Sequence, residues 1–301
     1  MVYTVTLNAS LDYDIYTNPI VLGSLNHADK IRYKAGGKGI MVSKVLKNLN
    51  IETKALGFIG GFTGEFIENE LNMLGINHSF VTSIGNTRIN IKLFDVQNET
   101  EISGLSPAIS ESAIETLIEQ IKQVTEDDYV VFSGSIGSLP SNIYKMITKE
   151  LNPKTKTVLD TRGSLLLQNI SNNFLVKPNV FELSEMMNQT LATHNEIADA
   201  CNLFIEKGVE NVIVTLGSKG AIFINKDLKI FAYPCEGKLI NSIGAGDSVS
   251  GGFIAGIIKG FSPENAFKLA VAAGSATAFS EDIAEANLIY QLYDSVMISY
   301  F

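Results

Sequence analysis

Ala35-Gly-Gly-Lys-Gly-Ile-Met-Val-Ser-Lys-Val-Leu-Lys-Asn-Leu-Asn-Ile-Glu-Thr-Lys-Ala-Leu-Gly-Phe-Ile59 holds a glycine turn, an amphipathic helix and a strand in one unbroken run. Val42, Val45, Leu46 and Leu49 fall at i, i+3, i+4 and i+7, the spacing that puts apolar side chains on one helical face. Lys54–Ile59 is a short apolar run of strand length, and Val2–Leu7 upstream is another. Further strand candidates are Tyr129–Phe132, Thr157–Asp160, Phe174–Lys177, Asn211–Leu216 and Ala221–Ile224. Helical spacing recurs at Phe66, Ile67, Leu71, Leu74 and at Ile114, Leu117, Ile118, Ile121, the latter with Ser110 as N-cap. This alternation predicts an α/β fold in which a mainly parallel sheet carries helices on both faces.

Two stretches break the rhythm. Residues 13–34 and 87–103 contain short alternating segments such as Ile89-Asn-Ile-Lys-Leu93, with no long helix between them. Alternation at period 2 marks half-exposed antiparallel strands. These form either a small sheet standing off the main body or a pair of surface hairpins. The 301 residues otherwise read as a single domain, 1–301, without repeat or linker.

Composition narrows the function. Hydrophobic residues make up 46% and charged residues 18%, the balance of a globular chain. A net charge of −9 repels nucleic acid and acidic membranes, while local cations and helix N-termini can still hold a small anion. No apolar run approaches the roughly 20 residues that span a bilayer, and Met1–Leu7 reads as a strand, not a secretory leader. Cys201, in a helical pattern with Ile197, Phe204 and Ile205, reads as a buried thiol. Two cysteines make no disulfide framework, so a cytoplasmic location is expected. His27, His78 and His194 share no metal-ligand spacing and suggest no Ser-His-Asp triad.

Asn241-Ser-Ile-Gly-Ala-Gly-Asp247 precedes a helical pattern of Val249, Phe253 and Ile257. Gly244 and Gly246 permit close backbone approach, and the amides of a first helical turn make an anion site. Asp247 lies in that turn, where the helix dipole is expected to keep it ionised. A carboxylate beside an anion cradle suits phosphoryl transfer to a hydroxyl. The same residues, taken alone, also suit a plain turn and a helix-start acid. The segment is not the Gly-x-x-x-x-Gly-Lys-[Ser/Thr] loop of P-loop enzymes. Gly57–Gly64 misses the Gly-x-Gly-x-x-Gly spacing and reads as a packed strand–helix turn. Ala35–Ile40, with Lys38, is a second anion candidate or a tight turn with a solvated lysine.

In order along the chain, these segments resemble the ribokinase-like carbohydrate kinases of the PfkB family, in its 1-phosphofructokinase and tagatose-6-phosphate kinase branch. Asn8-Ala-Ser-Leu-Asp12, Ala35-Gly-Gly-Lys-Gly39, Thr87-Arg-Ile-Asn90, Ser133-Gly-Ser135, Lys177-Pro-Asn-Val-Phe-Glu182, Thr215-Leu-Gly-Ser-Lys-Gly-Ala221 and Asn241–Asp247 carry the resemblance. It implies a three-layer α/β/α core, with a small β-sheet lid that in some members pairs two subunits. It also implies transfer of phosphate from ATP to a ketohexose phosphate, D-fructose 1-phosphate first and D-tagatose 6-phosphate second. Asp247 would be the base, and the amides of Gly244, Ala245 and Gly246 the anion hole. Asp12, Gly36 and Gly37 would hold the sugar, and Lys38, Arg88 and Asn90 its phosphate. Lys177, Asn179 and the loop Thr215, Leu216, Gly217, Ser218, Lys219, Gly220 would contact ATP, with Gly246 beside it. Glu182 would organise Mg²⁺ through water. The helix starting at Ser262-Pro263, with Ala266, Ala270, Ala273 and Gly274, would either leave an adenine slot or pack closely against a neighbour.

Three positions depart from the family pattern. Met41 stands where an asparagine is usual, Ala9 replaces a proline, and Asp160-Thr-Arg-Gly163 replaces Asp-Thr-Ser-Gly. Met41 and Arg162 leave open the exact sugar, and also a sugar-phosphate or nucleotide sensor with little turnover.

Overall fold

In the computed structural model, which describes residues 1–95 and 98–301, the strands are β1 (Val2–Thr6), β2 (Ser10–Tyr16), β3 (Lys30–Gly36), β4 (Thr53–Ile59), β5 (Asn77–Thr82), β6 (Arg88–Phe94), β7 (Glu99–Ser103), β8 (Tyr129–Ser133), β9 (Lys156–Asp160), β10 (Leu175–Val176), β11 (Asn211–Thr215), β12 (Ala221–Asn225), β13 (Lys229–Ala232) and β14 (Ile298–Tyr300). The helices are α1 (Lys38–Asn48), α2 (Gly61–Met73), α3 (Glu111–Ile121), α4 (Ile143–Thr148), α5 (Gly163–Asn169), α6 (Val180–Met187), α7 (His194–Glu206), α8 (Ala245–Ile258), α9 (Pro263–Ala278) and α10 (Ala286–Tyr293).

The main sheet has the order β14-β13-β12-β11-β10-β9-β8-β1-β4-β5. Pairing is parallel from β5 across to β11 and antiparallel from β11 to β14. The opening stretch folds as its pattern dictates: Val42, Val45 and Leu46 on α1 and Leu49 at its C-cap are fully buried, and β4 pairs with β1 beside it. One apolar layer joins α1, α8, α9 and α10 to one face of the sheet, and a second joins α3 to α7 to the other. That is the expected three-layer arrangement.

Some expectations shift. Phe174–Lys177 contracts to the two residues of β10, although the Phe174 and Lys177 amides still donate to the β9 carbonyls of Thr157 and Leu159. On α2, Ile67 and Leu71 are buried but Leu74 is 44% exposed at the helix end. β5, β13 and β14 escaped the sequence pattern. All three lie at or next to a sheet edge, where a continuous apolar run is not required. Ser110 caps α3, its Oγ accepting from the Ala113 amide.

The small residues of α9 pack against α8. A Cβ on Gly252 would stand 2.9 Å from Ala270 Cα, one on Gly256 would stand 2.7 Å from Ala266 Cα, and one on Gly274 would meet Val249 at 2.7 Å. α8 and α9 therefore touch almost backbone to backbone.

The second sheet, β3-β2-β6-β7, is the lid. It runs wider than 13–34 and 87–103, starting at Ser10 and taking in Gly36, so Asp12 is itself a lid residue. Its central pair, β2 with β6, is parallel; the flanking pairs are antiparallel as expected. Residues 96 and 97 lie outside the described residues. Alternation sorts the lid's two faces. Asp12, Asp14, Lys34, Asn90 and Lys92 are buried on the inner one. Ile31, Tyr33 and Ile102 are about half exposed on the outer one, where Tyr13 stacks on Tyr33 with centroids 4.6 Å apart. Among the described residues, no helix is long and apolar enough to cross a membrane.

Candidate active site

Parallel strands deliver their carboxyl ends to one edge of a sheet, and ligands of such folds gather there. Ser133 is in register with Asp160, Val5 with Phe132, and Val176 with Leu159. Thr6, Ser133, Asp160 and Lys177 therefore end four adjacent strands in one row. Asp160 is fully buried, and two ammonium groups neutralise it: Lys38 Nζ at 2.7 Å and Lys177 Nζ at 3.0 Å. Burial alone would raise the Asp160 carboxyl, but Lys177 and Lys38 outweigh it and hold the group at about 2. Ser250 Oγ of α8 donates to the same carboxylate at 3.3 Å.

α8 begins above this row. Gly244 is the N-cap in the left-handed region, φ 78°, and a Cβ there would press on Ile283 at 2.8 Å. Asn241 Oδ1 accepts from the Ile243 amide at 3.0 Å, and the Ala245 amide donates to Ser242 O at 3.3 Å, which fixes the turn. The next amides, of Gly246 and Asp247, belong to the first helical turn and have no intrahelical acceptor. A Cβ on Gly246 would stand 3.6 Å from Lys177 Nζ, so the glycine leaves that ammonium open to the turn. Asp247 does not follow the dipole argument. Burial pushes its carboxyl up to about 7, against the pull of Lys38 and with Asp160 adding repulsion. Desolvation within a packed wall outweighs a partial charge at a helix end.

The lid supplies the opposite wall. Asp12 Oδ1 accepts from Ser10 Oγ at 2.7 Å and Asn90 Nδ2 at 3.3 Å, and Oδ2 pairs with Lys92 Nζ at 2.8 Å. Gly36 is needed here, since a Cβ would sit 2.3 Å from Asp12 Oδ1. Arg88 donates to Asn90 Oδ1 at 2.9 Å, Ser103 Oγ at 2.7 Å and Asn8 O at 3.3 Å. A cavity of about 530 Å³ separates the walls, and Asp12, Gly37, Lys38, Arg88, Asn90 and Asp247 all line it. Lys38 points to Asp160, at the Asp247 side of this cavity, while Arg88 stands on the lid side.

Of the remaining expected residues, Asn179 and Glu182 line a wider cleft of about 850 Å³, together with Arg162. Asn179 and Glu182 form a capping box on α6: Asn179 Oδ1 accepts from the Glu182 amide and Glu182 Oε2 from the Asn179 amide, each at 2.8 Å. Asn179 also bridges to Thr215. Residues Thr215 to Gly220 make a tight link from β11 to β12, with a 3-10 turn at Gly217–Lys219. None of these six lines either cavity. Arg162 lines both cavities, its Nε 3.8 Å from Glu182 Oε1, and Met41 is buried in the wall of the smaller one. Among the described residues, no three His, Cys, Asp or Glu side chains cluster as a metal site.

Sequence reading gave no role to Asp160, Lys92, Ser10, Thr6 or Ser133. For Lys92 a signal exists: Arg88, Asn90 and Lys92 alternate along one strand and share a face. The row of strand ends has no such local signal.

The family model of the pfkB family carbohydrate kinases matches residues 5–287. The chain belongs to this family. It is 41% identical over 302 residues to 1-phosphofructokinase of Bacillus subtilis, covering 99% of each chain. It is 32% identical over 304 residues to D-tagatose-1-phosphate kinase of Bacillus licheniformis, covering 100% of each. Among solved structures, a Staphylococcus aureus protein described as a candidate phosphofructokinase superposes with a TM-score of 0.88 at 42% identity, over 100% of this chain and 99% of that one.

Proposed function

We propose that this chain transfers the γ-phosphoryl group of ATP to the free primary hydroxyl of D-fructose 1-phosphate, giving D-fructose 1,6-bisphosphate and ADP. The observation that carries the reading is Asp247, a buried carboxylate at the amide end of α8, facing a lid that presents Arg88 and Asp12 across one cavity. Asp247 accepts the hydroxyl proton as the hydroxyl oxygen bonds to phosphorus and the bond to the ADP oxygen breaks. The Gly244–Gly246 turn and the Asp160-held ammonium groups of Lys38 and Lys177 offset the charge on the phosphoryl group in flight. Arg88, a planar fork with several donors, suits the phosphate the acceptor already carries. Asn179, Lys177 and the Thr215–Gly220 loop are assigned to ATP.

Glu182 leaves Oε1 outside its capping box. One such oxygen fits a Mg²⁺ held mainly through waters and phosphate oxygens, not a cage of protein ligands. Bound there, Mg²⁺ would neutralise phosphate charge. The half-exposed apolar outer face of the lid is assigned to a second copy of the chain, which offers the same face.

The test is a coupled ADP-release screen over the 1- and 6-phosphates of fructose and tagatose and over the free ketohexoses. Fastest turnover on fructose 1-phosphate is expected. The 32% relative motivates a second reading, D-tagatose 1-phosphate, and a preference for it would displace the first. No ADP release with any of them, alongside normal ligand binding, would mean a sensor.

A further inference from the structure

β3 is an edge strand of the lid sheet, and its end runs through Gly36 and Gly37 into α1. Ile31 and Tyr33, at alternate positions along that edge, are about half exposed, so water can serve the backbone there. Ala35 is fully buried, and no strand lies beyond it to take its outward amide and carbonyl. One ion pair takes both. The Ala35 amide donates to Glu70 Oε2 of α2 at 2.6 Å, and the Ala35 carbonyl accepts from Lys44 Nζ of α1 at 3.2 Å. Lys44 Nζ closes the ring on Glu70 Oε1 at 2.6 Å. Two side chains of the body thus do for Ala35 what a neighbouring strand would do.

α2 holds the lid again at its other end. The Gly60 amide donates to Thr87 Oγ1 at 2.9 Å, the Thr87 amide to Gly60 O at 2.8 Å, and Thr63 Oγ1 to the Thr87 carbonyl at 2.7 Å. Thr87 directly precedes Arg88 at the start of β6, as Ala35 directly precedes Gly36 at the end of β3. Gly36 lies so close to Asp12 that any shift of Ala35 is passed to the sugar wall. A buried ion pair adds little stability over an apolar pair of the same size, whereas its directed bonds fix a backbone. We propose that Lys44 and Glu70 are a positioning pair of the lid hinge: they hold the backbone of Ala35 and so set Gly36, Gly37 and Asp12 for the sugar acceptor. Their role rests on the acceptor reading above, and neither side chain lines the cavity it serves.

The test uses the full chain with Lys44→Met/Glu70→Leu, which removes both charges together and leaves no lone buried ion. Calorimetry should show fructose 1-phosphate bound about tenfold more weakly, with ATP bound to within about twofold of wild type. Deuterium exchange should quicken in the peptide that contains Ala35 and stay slow in the strands of the main sheet. Should the double variant not fold by circular dichroism, Glu70→Gln takes its place, with the same expectations. It keeps the shape of the side chain but offers one acceptor oxygen to two donors. A folded variant that binds the sugar phosphate to within about twofold of wild type overturns the positioning role. So does an equal loss for ATP and sugar phosphate, or unchanged exchange at Ala35. A wild type that binds the sugar phosphate without releasing ADP defeats the kinase reading and leaves this comparison intact. A wild type that binds no sugar phosphate defeats the acceptor reading, and the exchange at Ala35 then decides the hinge by itself.

Discussion

Asp247 and Asp160 illustrate how two carboxylates in one site acquire opposite characters. Asp160 sits between two ammonium groups and stays charged at about 2; Asp247 is pressed into a wall and rises to about 7. As a base, Asp247 must be deprotonated, so kcat/KM should climb with pH through about 7, read from a pH–rate profile. Asp247→Asn should lower kcat by on the order of 10²–10⁴ while ATP binding stays near normal. The same variant carries a stability signature. The ordinary value of 3.8 applies in the unfolded chain, so the folded state holds the Asp247 proton between about 4 and 7. That contribution is complete below about 4 and lost as pH rises through about 7. Asp247→Asn should therefore melt above wild type at pH 8, with the gain shrinking towards pH 5. Asp160 works in reverse: its contribution is present above about 4 and lost as pH falls towards about 2. Asp160→Asn leaves two crowded ammonium groups under-compensated and should cost about 3–5 kcal/mol in chemical denaturation.

Among the elements, α8 carries the most consequence, since it holds the proposed catalytic turn and packs on α9 through glycine. Gly252→Ala puts a methyl group 2.9 Å from Ala270 Cα and from the Leu269 carbonyl oxygen. Backbone cannot yield as a side-chain tip would, so the helices must separate, at a cost of about 1–3 kcal/mol in denaturation and with a drop in kcat as Asp247 moves. The α1 pattern and the Ser110 cap were legible because their periodicity and chemistry are local. β5 and β14 were not, because an edge position relaxes the demand for apolar residues, and β13 was not, because its apolar run is only three residues long. The lid was legible as strands from alternation, but its parallel β2–β6 pair was not, since pairing partners distant in the chain leave no mark on either strand.

At the scale of the whole molecule, the lid meets the body through an ion pair between Arg32 and Glu281. Glu281 also offers its carbonyl to Asn241 Nδ2, at the start of the glycine turn before α8. Glu281→Ala should loosen closure and raise sugar-independent ATP hydrolysis a few-fold, since an open lid admits water. The outer face makes a separate prediction. Tyr33→Asp places a charge among Tyr13, Ile31 and Ile102 and should shift the mass measured by light scattering from two chains to one, with the monomer still folded by circular dichroism.

From sequence alone came the α/β alternation, the lid strands, the glycine turns and Asp247 as a candidate base, because each is written in neighbouring residues. The family resemblance, carried by ordered motifs, assigned roles to those residues. Tertiary structure decided the rest. It set Thr6, Ser133, Asp160 and Lys177 in one row through strand register, and paired Lys38 with Asp160 across 122 positions of chain. It also raised the Asp247 carboxyl, which the helix dipole was expected to keep low, because desolvation depends on everything packed around a group and not on the residues beside it in sequence.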